Sequence, residues 1–148
     1  MVLAIDFDGC VVEEAYPEIG ELRKDAKKII NQLVQDGHYV IIWTCRTGEY
    51  LHKAELFLIE NKIHYHKINQ HHPKDLLYYK EYGPKIGADY YLDDKCIAGL
   101  PSWERIYKII NKRANESKRI PRKSVRLGES KRLDGKKSGN SRTVRLDS

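Results

Sequence analysis

Four aspartates stand directly after two apolar runs of the sequence, where they could bind a metal ion and attack a phosphate ester. The first run ends in Asp-Phe-Asp-Gly, which contains Asp6 and Asp8, and the second ends in Asp93 and Asp94. Gly9 allows a sharp turn after the first pair, so that Asp8 can lie beside Asp6. Four carboxylates in one poorly solvated crevice repel each other strongly. Because a hard cation with oxygen ligands removes that repulsion, the sequence predicts a Mg²⁺ site.

A third apolar run ends in residues 43–48, Trp-Thr-Cys-Arg-Thr-Gly, just before a segment with helical spacing. Hydroxyl groups and backbone amides at the start of a helix bind anions, phosphate among them. A metal ion, a carboxylate nucleophile and a phosphate-binding turn together indicate phosphoryl transfer through an aspartyl-phosphate.

The elements that must position these residues alternate along the chain. Short apolar runs predict four buried strands, and apolar stripes of helical period predict three helices between and after them. The strands are predicted over residues 2–7, 39–44, 64–69 and 89–92, and the helices over 20–35, 49–61 and 102–112. This alternation indicates an α/β protein, a three-layer Rossmann-like fold with a parallel sheet of about four strands. Ligands of such folds bind beyond the carboxyl ends of the strands.

The net charge of +6 is unevenly distributed along the 148 residues. Residues 114–148 carry 11 basic and 4 acidic side chains and no aromatic residue, so we expect a domain over 1–113 and a basic, disordered tail over 114–148. Nothing approaches the roughly 18 consecutive apolar residues of a membrane span. Three cysteines, widely spaced and without a CxxC motif, argue against a disulfide framework and favour a cytoplasmic location.

The motifs together resemble one known group of enzymes. Asp-Phe-Asp-Gly, a strand-terminal Thr, and a Lys before a strand ending in Asp-Asp are similar to the haloacid dehalogenase (HAD) superfamily of phosphohydrolases. Four segments resemble its small capless bacterial phosphatases more narrowly: residues 16–21, 43–46, 88–95 and 99–103. The resemblance covers residues 1 to about 111. Enzymes of this superfamily that have a cap domain carry it after the first or the third strand. Both connections are too short for a cap in this sequence, so the resemblance implies an open active site.

This resemblance implies a role for each acidic residue. Asp6 would be the nucleophile and a metal ligand. Asp8 would be the general acid and base, and would bind the metal through its backbone carbonyl. Asp93 would complete the Mg²⁺ shell, with Asp94 acting directly or through water. Cys10 departs from the pattern, since many members have Thr there.

The resemblance also implies how the phosphoryl group is bound. Thr44 would donate a hydrogen bond to it, helped by the backbone amide of Cys45. Lys85, eight residues before Asp93, matches the phosphate-binding lysine, although Lys95 could serve instead.

The expected activity is therefore a Mg²⁺-dependent phosphomonoesterase, whose substrate the sequence does not specify. Two alternatives stay open: a nucleotide or polynucleotide phosphatase that holds nucleic acid through the basic tail, and a non-catalytic binding module. An open site with exposed apolar residues, Trp103 and the Leu100–Pro101 pair, favours a homo-oligomer in which one subunit covers another's cleft.

Overall fold

The computed structural model describes residues 1–78 and 83–119 and builds them around a four-stranded parallel sheet. The strands are β1 Val2–Ile5, β2 Tyr39–Ile42, β3 Lys67–Ile68 and β4 Tyr90–Leu92, in the spatial order β3-β2-β1-β4. The predicted α/β class and parallel sheet are confirmed. The described residues contain no cap domain above the strand ends, and no helix among them is long and apolar enough to cross a membrane.

The strand order places the two acidic pairs next to each other. The chain adds β2 and β3 on one side of β1 and then crosses over to place β4 on the other side. Ile5 lies opposite Leu92 in register, and the amide of Asp6 donates to the carbonyl of Leu92 at 2.9 Å. The residues that follow β1 and β4 therefore leave the sheet side by side, at the point where the strand order reverses.

Three helices cover one face of the sheet. The helices of the described residues are α1 Ala26–Gln35, α2 Gly48–Glu60, the short α3 Asp75–Tyr78 and α4 Trp103–Arg119, and the three on this face are α1, α2 and α4. Leu3, Ile5, Val40 and Ile42 pack in one core cluster with the buried residues of α1, α2 and α4. Side chains alternate along a strand, so Ala4 and Ile41 point to the opposite face, where they are also buried.

The predicted start of the first helix is wrong. Residues 20–25 form a loop instead, in which Leu22 bridges Val12 in antiparallel fashion and the amide of Glu13 donates to the carbonyl of Glu21. Leu22 does pack against the core, but from this loop. Ile59, whose helical spacing on the second helix predicts that it faces inward with Leu51, Ala54 and Leu58, is 63% exposed.

Trp103 is buried, and the prediction that it is exposed is wrong. Only 4% of its surface is accessible, and its indole N–H donates to the carbonyl of Cys10 at 3.2 Å. The indole therefore joins the start of α4 to the turn after β1. The homo-oligomer stays a prediction, without Trp103 as its contact.

The last helix runs through the predicted domain boundary. The sequence predicts its end at residue 112 and a tail from 114, whereas α4 continues to Arg119. Residues 114–119 are thus helical. The remainder of the predicted tail, 120–148, lies outside the described residues.

Candidate active site

A cavity of about 580 Å³ lies at the carboxyl ends of β1, β2 and β4. It brings together most of the residues predicted for the site. Its lining residues are Asp6, Asp8, Glu14, Tyr16, Trp43, Thr44, Cys45, Arg46, Asp93 and Lys95. Three separate segments of the sequence thus meet in one place, as the strand ends predict.

Gly9 allows the two acidic pairs to approach. Its φ of +76° lies in the left-handed region that glycine adopts without penalty. A Cβ at this position would lie 2.8 Å from Oδ1 of Asp94 and closer still to the carboxyl carbon. Real Cβ atoms do not approach other atoms so closely, so the turn after Asp8 needs glycine for its backbone angle and for space.

Asp6 is surrounded by the other three carboxyl groups of the site, those of Asp8, Asp93 and Asp94. The pKa of its carboxyl group is raised from 3.8 to about 7, mainly by burial and in addition by the neighbouring charges of Asp93, Asp8 and Asp94. The hydrogen bond from the Phe7 amide, at 2.8 Å, opposes this shift. A bound cation would reverse the effect, because it stabilises the charged carboxylates that now repel each other.

The donor atoms around Asp6 fit a hard cation. Oδ1 of Asp94 is buried and has no hydrogen-bond partner among the described residues, and an oxygen of Asp6, an oxygen of Asp94 and the sulfur of Cys10 lie within 4.8 Å of one another. Burial, the largest cause, raises the pKa of the Cys10 thiol to about 12, so it is protonated, and it donates weakly to the carbonyl of Leu92. Carboxylate oxygens are therefore the available ligands, which favours Mg²⁺ over softer metals.

Thr44 is held in place by a residue that the sequence analysis did not select. Its amide donates to Oδ1 of Asn69 at 2.9 Å, and its carbonyl accepts from Nδ2 of Asn69 at 2.8 Å. Its hydroxyl oxygen accepts a hydrogen bond from the amide of Arg46 at 3.2 Å. The hydroxyl proton is thereby left to donate into the cavity. The only sequence signal for Asn69 is its position at the end of the third predicted strand.

Arg46, for which the sequence leaves both a substrate contact and a structural ion pair open, binds Asp8 with two hydrogen bonds. Its Nε donates to Oδ2 at 2.8 Å and its Nη2 to Oδ1 at 2.7 Å. The guanidinium is 1% exposed and also donates to the carbonyls of Pro17 and Glu18. Hydrogen bonding to Asp8 raises the pKa of Arg46, so this buried group is charged. An arginine two residues after a strand-terminal threonine is the signal that could have identified it.

The two candidate lysines occupy different places. Lys95 lines the cavity, and its Nζ pairs with Asp94 at 3.0 Å and with Glu14 at 3.1 Å. These hydrogen bonds raise its pKa above the ordinary value. Lys85 is absent from the lining of this cavity, and its Nζ lies over the ring of Tyr91 at 4.8 Å. The structure thus brings Lys95 to the acidic cluster and leaves Lys85 outside the lining of the cavity.

One solved structure is similar to this chain over most of both lengths. It is a conserved protein from Bacteroides thetaiotaomicron, with 33% sequence identity and a TM-score of 0.70 over 76% of this chain and 91% of that one. The chain belongs to the same family as that protein. This likeness shows the fold and the family and leaves the reaction open. No family model and no curated protein matches the chain.

Proposed function

We propose that the protein is a Mg²⁺-dependent phosphomonoesterase of the HAD type that acts through an aspartyl-phosphate on Asp6. One observation carries this proposal: Asp6 and Asp8 after β1 line the same cavity as Asp93 after β4 and Thr44 after β2. The cavity thereby combines a carboxylate nucleophile, a second acid, further metal ligands and a hydroxyl donor. A non-catalytic module would have no use for this set of crowded carboxylates, which lowers stability without a cation.

The reaction has two balanced steps. In the first, a carboxylate oxygen of Asp6 attacks the phosphorus, the ester P–O bond breaks, and the leaving oxygen takes a proton from Asp8. In the second, water attacks the phosphorus while Asp8 takes its proton. The bond between phosphorus and Asp6 then breaks, which releases inorganic phosphate and restores both aspartates.

The remaining residues bind charge and fix geometry. Thr44 would donate its hydroxyl proton to a phosphoryl oxygen, with the Cys45 amide beside it. Asp6, Asp93 and Asp94 would hold Mg²⁺, together with the backbone carbonyl of Asp8. A bound Mg²⁺ would neutralise the carboxylates and the phosphoryl oxygens of the substrate.

Arg46 is the positioning residue for Asp8. Because its guanidinium binds both carboxylate oxygens and is itself fixed by two loop carbonyls, it holds the Asp8 carboxyl group in one orientation. With both oxygens accepting from Arg46, Asp8 is oriented to take a proton from water in the second step, and it can present a proton in the first step only when one of these hydrogen bonds opens.

The test is hydrolysis of p-nitrophenyl phosphate by the full chain. We expect turnover with Mg²⁺, none with a chelator, and none for Asp6→Asn. Asp25→Asn is the matched control, because Asp25 lies at the start of α1 outside this cavity and its left-handed backbone suits asparagine equally well. Acid-quenched mass spectrometry should find a phosphoryl group on the wild-type chain and none on Asp6→Asn. Full turnover by Asp6→Asn would refute the nucleophile, and no turnover by the wild type on any phosphomonoester would refute the enzyme.

A further inference from the structure

Two aromatic side chains form walls of the acidic cavity. Tyr16 and Trp43 line it together with Asp6 and Asp8, and Tyr16 is 57% exposed. At about 580 Å³ the cavity lies within the usual range for small-molecule sites, about 300–1,000 Å³. A phosphoryl group would occupy only part of it, so the aromatic walls remain for the rest of the substrate.

Trp43 packs against a second aromatic side chain, Tyr91. Its ring contacts the ring of Tyr91 with centroids 5.4 Å apart, and the ammonium of Lys85 lies over the same Tyr91 ring. Trp43 directly follows β2 and Tyr91 lies within β4, the two strands that are followed by Thr44 and Asp93. An aromatic ring that already packs on a neighbour loses less side-chain freedom when a planar group stacks on it.

Tyr16 is fixed by the guanidinium that holds Asp8. The Arg46 guanidinium carbon lies 5.2 Å from the Tyr16 ring centroid, and the ring of Tyr50 lies 5.6 Å away. Arg46 also binds the carbonyls of Pro17 and Glu18, the two residues that follow Tyr16. The ring is therefore exposed to the cavity while its base is anchored beside the proposed acid.

The cavity also presents polar groups next to these rings. Glu14 and Lys95 both line it and pair with each other at 3.1 Å, with 48% and 69% of their side chains exposed. They offer a hydrogen-bond acceptor and a donor to a planar group that carries both, as a nucleobase does. A simple phenyl ring has no such polar edge.

From these contacts we propose that the substrates are nucleoside monophosphates, whose base stacks on Tyr16 or Trp43 while the phosphate meets Asp6. This inference rests on the proposed phosphatase activity, and it adds the recognition of the base.

The test compares adenosine 5′-monophosphate with ribose 5-phosphate, which has the same sugar phosphate and no base. Stacking of one base on an aromatic side chain corresponds to roughly a fivefold gain or more. We expect kcat/KM for the nucleotide to exceed that for ribose 5-phosphate by at least this factor. Tyr16→Leu and Trp43→Leu should each reduce the ratio, and Tyr107→Leu, on α4 outside this cavity, should leave it unchanged. Because Tyr16 is largely exposed, its variant should fold even if Trp43→Leu does not.

The two proposals fail in different ways. Equal kcat/KM for the two substrates, or a ratio that Tyr16→Leu leaves intact, would overturn the nucleotide inference while the phosphatase stands. If neither substrate is hydrolysed, calorimetric titration of Asp6→Asn with each ligand in Mg²⁺ still decides the question. Tighter binding of the nucleotide would support base recognition, and equal binding would overturn it.

Discussion

Replacing Gly9 by alanine should disrupt the site, and the same replacement at Gly37 provides the control. Gly9 and Gly37 have similar left-handed φ angles of +76° and +82°. An alanine at either position incurs the strain of that region, about 1–2 kcal/mol. A Cβ at Gly37 would meet nothing within 4 Å, whereas a Cβ at Gly9 would lie 2.8 Å from Oδ1 of Asp94. The difference between the two variants therefore isolates the displacement of Asp94.

The expected size of this displacement follows from contact distances. Nonbonded heavy atoms pack at about 3.5–4.0 Å, and the carboxyl carbon and Oδ2 of Asp94 would lie closer to the methyl group than Oδ1 does, so the carboxyl group must move by at least about 1 Å. A misplacement of about 1 Å in a reacting constellation can lower turnover by about 100-fold. Gly9→Ala should therefore lose most of its activity and need more Mg²⁺ for half-maximal rate. Gly37→Ala, before β2 at the opposite end of the sheet, should retain the wild-type rate.

The assay combines urea unfolding with Mg²⁺ titration of the rate. We expect both variants to lose stability by about 1–2 kcal/mol from backbone strain. Gly9→Ala should lose more, because the methyl group must also displace Asp94. Equal activity in the two variants would refute the argument that Gly9 provides the space in which Asp94 reaches Asp6.

Three further predictions follow from the contacts around the site. Arg46→Met removes the buried partner of Asp8 and should cost about 3 kcal/mol in urea unfolding, and a double-mutant cycle with Asp8→Asn should show coupling between the two positions. For the metal-free protein, the raised pKa of Asp6 means that the folded state binds more protons than the unfolded state between pH 3.8 and about 7. The stability of the metal-free protein should therefore fall as pH rises through this window. The rise in Tm on adding Mg²⁺ should be larger at pH 8 than at pH 6, and this difference should disappear in Asp6→Asn. Asn69→Asp keeps the acceptor for the Thr44 amide but replaces the donor with a negative charge, so steady-state kinetics should show a raised KM for phosphate esters.

The strand ends could be predicted because their signal is local. β1 and β2 are short and continuously apolar, as strands buried on both faces must be, and a polar residue follows each within two positions. Parallel strands bring their carboxyl ends to one edge, so Asp6, Thr44 and Asp93 could be assigned to one site before their contacts were known. The pairing of β1 with β4 then depends on strand order, which the pattern of residues does not contain.

The errors arise where tertiary contacts override the pattern. Leu22 continues the apolar stripe of the first helix, yet it packs from a loop that is fixed by its bridge to Val12. Ile59 continues the stripe of the second helix and is exposed, because the stripe gives spacing but not the width of the buried face. Trp103 was assigned to the surface because a periodic pattern cannot distinguish an interface from a core.

Arg46 shows most clearly why the site could be predicted only in part. Its neighbours in sequence suggest a phosphate-binding turn, but its guanidinium lies buried against Asp8, 38 residues away, and against the loop that carries Tyr16. A buried charge is stable only where several partners satisfy it, and here those partners come from both the proposed acid and the proposed base-binding wall. Chemistry and recognition thus depend on the same side chain. A change at Arg46 should affect both the rate and the preference for nucleotides, whereas a change at Tyr16 should act mainly on the preference.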